Sequence, residues 1–361
     1  MLKKATALLV VGLSAATWTG CGTTSNHYVF ASIPATNQVA VFREDPNSGV
    51  LTALANSPFT AGLAPEAVLL HPSGKYLYVA NSGEDTISLF SIAPSTGVIT
   101  ELSRTGSGGL TPVLMAMDSA GGFLYVANAL SNNLSVFSMG SDGTLASLST
   151  TSLGITPTGL AVSPGKFVFI GGSLGQVGQV QVGQVEVWGL NSGTPTTLAG
   201  LFPTSNNATA SGLVVDSTGS FLYVANGNGS NSLSEFSIGA GGILQQLPGF
   251  PLGEPSGTTS PVSLLIDPSG KYLYVANQGT NNLGAYSVVS GGGLTVLANS
   301  PFGTIKGPTS LAADPNGKYL MVGSQSGASI EVFLLNSGSG TLGEVASYGT
   351  GGFPSSIAVL Q

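Results

Sequence analysis

The chain has 361 residues, of which 42% are hydrophobic and only 7% charged, with a formal net charge of −7. The apolar share is large enough to build a core, which excludes a disordered polypeptide, and a surface so poor in charge must be covered by Gly, Ser, Thr and Asn. Nine lysines and arginines against 16 acidic residues cannot form the basic stripe that nucleic acid requires, so that class of partner is set aside.

The first element in chain order is a targeting segment. Lys3 and Lys4 precede an apolar run from Ala5 to Ala16 that is too short to cross a bilayer as a mature helix, and no later stretch is long and apolar enough. Residues 1–20 are read as a signal peptide and 21–26 as a short tether. The run Trp18-Thr19-Gly20-Cys21 resembles the lipobox of bacterial lipoproteins, with Trp18 where that motif usually carries Leu. The resemblance implies lipidation of Cys21, and hence an exported protein held on a membrane of the bacterial cell envelope by its lipid. Cys21 is the only cysteine, so no disulfide forms within the chain. Loss of Lys3 and Lys4 leaves seven basic residues against 16 acidic ones, a mature charge of −9.

From residue 27 onward one unit repeats. Tyr76-Leu77-Tyr78-Val79-Ala80-Asn81 returns as FLYVAN at 123–128 and 221–226 and as YLYVAN at 272–277, with weaker copies at 27–32, 167–172 and 319–324. The copies end 44 to 54 residues apart, which suits four short strands and their turns. In residues 261–297, Pro261 to Ile266 predicts an inner strand buried on both faces. Asp267-Pro268-Ser269-Gly270 predicts a type I turn, Tyr272 to Ala276 a second strand, Leu283 to Val288 a third and Leu294 to Leu297 a fourth. The fold expected for 27–361 is all-β, a seven-bladed β-propeller of four-stranded blades. The first copy starts at its second strand, and the last residues, Phe353 to Leu360, read as an inner strand with nothing after it. The C-terminal strand is therefore expected to pair into the first blade and close the ring.

These repeats resemble the lactonase-type seven-bladed propellers, a family that includes phosphogluconolactonase-like and YVTN repeat proteins. The resemblance implies lactone hydrolysis, for which such enzymes often carry Arg and His just after the lead-in Pro and Glu just after the YVAN equivalent. Here the lead-ins are Pro65-Glu66, Pro112-Val113, Pro157-Thr158, Pro261-Val262, Pro308-Thr309 and Pro354-Ser355, and Ser82, Ala129, Gly227 and Gln278 follow the asparagines. No lead-in has Arg or His, and none of the residues after the asparagines is acidic.

Other chemistry is sparse. His27 starts a strand, His71 takes the Asp place of a turn, and Arg43 and Arg104 follow outer strands, so all four read as structural or solvated. Glu66 is the one carboxylate at a lead-in and the candidate catalytic residue. Asn81, Asn128, Asn226 and Asn277 are candidate ligand-binding residues, expected either to cap their own turns or to form a partial ring of amides at the channel mouth. No carboxylates stand at calcium-loop spacing, so neither metal nor cofactor is expected. The Gln- and Val-rich run between Gly172 and Trp188 predicts an extended hairpin. The function expected is a monomeric, membrane-anchored scaffold binding a glycan, peptide or envelope protein; the alternative is a lactone hydrolase of the resembled family.

Overall fold

The computed structural model describes residues 27–360 apart from 165, 178, 179, 254, 256, 257 and 305; the signal peptide, the tether and Cys21 lie outside the described residues. Apart from two single 3-10 turns, the regular structure is all β, in seven antiparallel sheets. Blade two shows the plan: an inner strand Pro65–Leu70, then Tyr76–Asn81, Thr86–Ile92 and an outer strand Ile99–Gly106. Blade one is built from both chain ends, ordered Leu51–Ala53, Gln38–Glu44, His27–Ile33 and Ser356–Leu360. Tyr28 pairs with Leu360 and Ser32 with Ser356, so the ring closes as its ends predict. In blades one, five and six the outer strand is broken, and a two-residue piece such as Phe59–Thr60 pairs separately with the third strand.

The repeated motif is apolar on both faces because each blade is packed on both faces. Leu77 and Val79 enter the seam with blade one, and Tyr78 and Ala80 the seam with blade three. The first aromatic of each motif lies against a positive-φ glycine in the turn before the next blade's outer strand: Tyr28 on Gly97, Tyr76 on Gly143, Phe123 on Gly193, Phe167 on Gly242, Phe221 on Gly292 and Tyr272 on Gly340. Tyr319 of blade seven then meets Gly49 of blade one, which completes the circle. A Cβ on these glycines would strike the ring, and their φ values favour glycine in any case. The second tyrosine adds a hydrogen bond to the same turn: Tyr78 Oη donates to Gly143 O at 2.6 Å and Tyr274 Oη to Gly340 O at 2.7 Å.

The inner strands surround a channel. Turns of the Asp267-Pro268-Ser269-Gly270 kind close one face, where Asp267 Oδ1 accepts the N–H groups of Lys271 and Tyr272 at 2.8 Å. His71 takes that place in blade two; its Nδ1 accepts the Ser73 N–H at 3.0 Å and its Nε2 lies 3.1 Å from Gly121 O. The opposite face carries the lead-ins and the loops after each motif. Blade four departs in length, pairing Phe167–Val177 with Val180–Asn191 in the long hairpin read from the sequence.

Candidate active site at the channel mouth

Six inner strands slip register near their start, between Pro65 and Ala67 and at the matching places in blades three to seven. A bulge here turns one extra side chain away from the ladder. The residues so placed are Glu66, Val113, Thr158, Ser211, Val262 and Thr309; Ser355 holds the same place in blade one, donating its N–H to Ser32 O at 3.1 Å. All seven line a cavity of about 150 Å³ on the channel axis. Blade five contributes through Ala210-Ser211-Gly212, a lead-in that sequence reading missed because it lacks proline. Its signal was spacing, since Ala210 stands as far ahead of Asn226 as Pro65 does of Asn81.

Most of the ring's hydroxyl hydrogens join consecutive blades. Thr158 Oγ1 donates to Ala210 O at 2.9 Å and Ser211 Oγ to Pro261 O at 2.7 Å, while Thr309 Oγ1 lies 3.1 Å from Gly323 O of its own blade and 3.2 Å from Pro354 O. Ser355 Oγ donates to Glu66 O at 2.8 Å, so the backbone of Glu66 is held by the segment that closes the ring. Glu66 is half-buried and is the one ionisable residue among the described residues lining the cavity. Burial pushes its carboxyl above the usual carboxylate range. The segments leading into three lead-ins expose Leu63, Leu110 and Phe353.

The structure corrects the amide ring. Asn81, Asn128, Asn226 and Asn277 are fully buried, and none lines the cavity. Each lies at or beside the end of its strand on the face of the motif's Leu and Val, and its amide bonds within its own blade, Asn128 Nδ2 also reaching Ser107 O at 3.4 Å. Asn81 Nδ2 donates to Ser88 Oγ at 3.0 Å, Asn128 Nδ2 to Asn133 Oδ1 at 2.7 Å, Asn226 Nδ2 to Ser234 Oγ at 2.9 Å and Asn277 Nδ2 to Asn282 Oδ1 at 3.1 Å. Arg43 and Arg104 lie within strands, not after them; neither lines the cavity. Arg104 is held at the surface by Glu101 at 2.6 Å and Glu84 at 2.9 Å.

Seven four-stranded blades closed around a channel define the class, a seven-bladed β-propeller. The chain belongs to the family described as "Lactonase, 7-bladed beta-propeller", whose sequence profile matches residues 23–162 and 243–359. The unmatched stretch begins within blade four and includes its long hairpin. A 6-phosphogluconolactonase of Formosa agariphila is 28% identical over 265 residues, covering 68% of this chain and 72% of that protein. Among solved structures, a periplasmic gluconolactonase of Pseudomonas aeruginosa superposes with a TM-score of 0.78 at 19% identity, covering 93% of this chain and 99% of that one. A Bacteroides fragilis protein crystallised as a candidate 6-phosphogluconolactonase gives 0.79 at 18% identity, covering 95% and 100%. At those identities the two structures speak to fold.

Proposed function

We propose that this protein hydrolyses a small uncharged lactone at the channel mouth, with Glu66 as general base. Family membership and the name of the Formosa relative support lactone chemistry over the binding scaffold. The observation that carries the assignment is Glu66, a carboxylate set on a bulge within a ring of hydroxyl and apolar groups. Burial makes it a stronger base than a carboxylate in water. A water between Glu66 and the lactone carbonyl gives its proton to the carboxylate as its oxygen adds to the carbon. The ring C–O bond then breaks, and Glu66 returns the proton to the departing oxygen, leaving an open-chain hydroxy acid. Among the described lining residues there is no cation, and a phosphorylated lactone would bring more negative charge beside Glu66. Exposed Leu63, Leu110 and Phe353 instead suit an apolar substituent.

The test is turnover of neutral and phosphorylated lactones by purified protein. Glu66→Gln is expected to lower kcat/KM on the neutral lactone by about 10²–10⁴-fold, the usual worth of a positioned base. Wild-type activity should fall as pH drops through the raised pKa of Glu66, because only the ionised form accepts the proton. Hydrolysis unchanged in the glutamine variant, or faster on the phosphorylated lactone, would defeat the assignment. One observation favours binding without turnover: Thr158, Ser211 and Ser355 have spent their hydroxyl hydrogens on neighbouring blades, and Thr309 has spent its own on the carbonyls of Gly323 and Pro354. Saturable lactone binding with no hydrolysis would select that reading. The lipobox-like run supports export and anchoring through Cys21, and the mass of the mature N-terminal peptide tests it.

A further inference from the structure

No metal-ligand spacing is visible in the sequence, yet ring closure gathers three donors at one place. His27 opens blade one's second strand, Glu44 is its cross-strand partner, and Asp314 opens the turn after the inner strand of blade seven. They meet at the seam between the first and last blades, on the face opposite the channel mouth. His27, Glu44 and Asp314 are 1%, 1% and 0% exposed. Their donor atoms all lie within 4.8 Å of one another, and His27 Nδ1 stands 3.3 Å from Glu44 Oε2.

The repeat shows that this is not blade architecture. Where blade one has Glu44, the others carry Ile92, Met139, Leu190, Ile238, Val288 and Leu335, each bonded through its N–H to the residue matching His27. Those partners are Lys75, Gly122, Lys166, Ser220, Lys271 and Lys318, never histidine; each stands one residue before its motif, so pairing register starts the first copy at Tyr28 and not at His27. A carboxylate has therefore replaced an aliphatic side chain in the blade where an imidazole stands opposite. Among the described residues, neither Glu44 oxygen nor His27 Nδ1 has a partner with hydrogen-bond geometry. Asp314 Oδ1 is occupied by the N–H groups of Lys318 and Tyr319 at 2.5 and 2.6 Å, while Oδ2 receives one long bond from Asn316 at 3.3 Å. Burial pushes both carboxyls upward, as expected for two acids that lack sufficient counter-charge.

We propose that His27, Glu44 and Asp314 bind a divalent cation of the zinc class that fastens blade seven to blade one. One imidazole nitrogen and two carboxylates are donors zinc accepts, and its charge would balance both acids. Zinc bonds of about 2.0–2.1 Å give tetrahedral edges of about 3.3–3.4 Å, which the His27–Glu44 pair meets; the Asp314 carboxylate, within 4.8 Å of both, closes onto the ion when it binds. The fourth position is left to water or to the second Glu44 oxygen. The site is structural, because it lies at the far end of the blades from Glu66.

Tag-free, chelator-treated protein titrated with zinc alone is expected to take up one equivalent, with a rise in Tm of about 5 °C at a hundredfold excess over Kd. Calcium should bind at least about 100-fold more weakly, since it shuns nitrogen donors. Glu44→Gln and His27→Gln should each weaken zinc binding about 100-fold or more, and abolish the Tm response, while leaving lactone turnover unchanged. Either variant suffices if the other fails to fold. The proposal is overturned if the wild type takes up no stoichiometric zinc, if the variants bind as well as it does, or if zinc binds without moving Tm.

Discussion

A chain ending at Gly352 is expected to give little soluble monomer, and whatever is recovered should melt far below the full chain. The lost segment supplies the inner strand of blade one. Ile357, Ala358 and Val359 are 1%, 0% and 5% exposed and divide between two seams, Ile357 and Val359 toward blade seven and Ala358 toward blade two. Burying an aliphatic side chain contributes about 1.5–3 kcal/mol, so Ile357 and Val359 together approach the lower end of a protein's net stability of about 5–15 kcal/mol. Truncation also leaves the backbone groups of Tyr28 to Ser32 without their ladder partners, an open edge that invites association. Soluble yield, size-exclusion profile and thermal melt measure the effect. A monomer with the full-length Tm would show that the last strand is ornamental. The same cut removes Ser355, whose hydroxyl holds the Glu66 carbonyl, so closure and the proposed site fail together.

The blades were legible because their seams repeat. Each YLYVAN strand is packed on both faces, which makes it an unbroken apolar run, and each needs a glycine on its neighbour to receive its aromatic. The ends of the chain displayed the closure openly, one lacking an inner strand and the other offering a spare. Side-chain direction was less legible. The motif's asparagine belongs to the strand, and period two puts Asn81 on the face of Leu77 and Val79, toward the preceding blade. The bulge was invisible because it depends on pairing register, so the ring of hydroxyls at the mouth emerged only with the fold. Glu66 was legible, since a carboxylate after a lead-in proline stands out whatever its register.

Blade five carries a carboxylate at an interior position that is aliphatic in the other six blades. Glu235 faces Tyr223 across the ladder, where the other blades carry Val41, Leu89, Val136, Val187, Ala285 and Val332. It is fully buried, with neither carboxylate oxygen hydrogen-bonded among the described residues, and burial pushes its pKa up from 4.5 to about 7. The folded state therefore binds more protons than the unfolded state between those two values, and stability must fall as pH rises through that window. At 1.36 kcal/mol per pKa unit the loss is about 3 kcal/mol, complete above the folded pKa and absent below the unfolded one. Glu235→Gln keeps the shape and removes the ionisation. Urea unfolding at pH 4 and pH 8 should show the variant level with the wild type at the lower pH and about 3 kcal/mol more stable at the higher. An equal difference at both pH values would mean that Glu235 has a partner that holds its charge. Every other blade keeps this position aliphatic, so the destabilisation at neutral pH belongs to blade five and follows from one side chain.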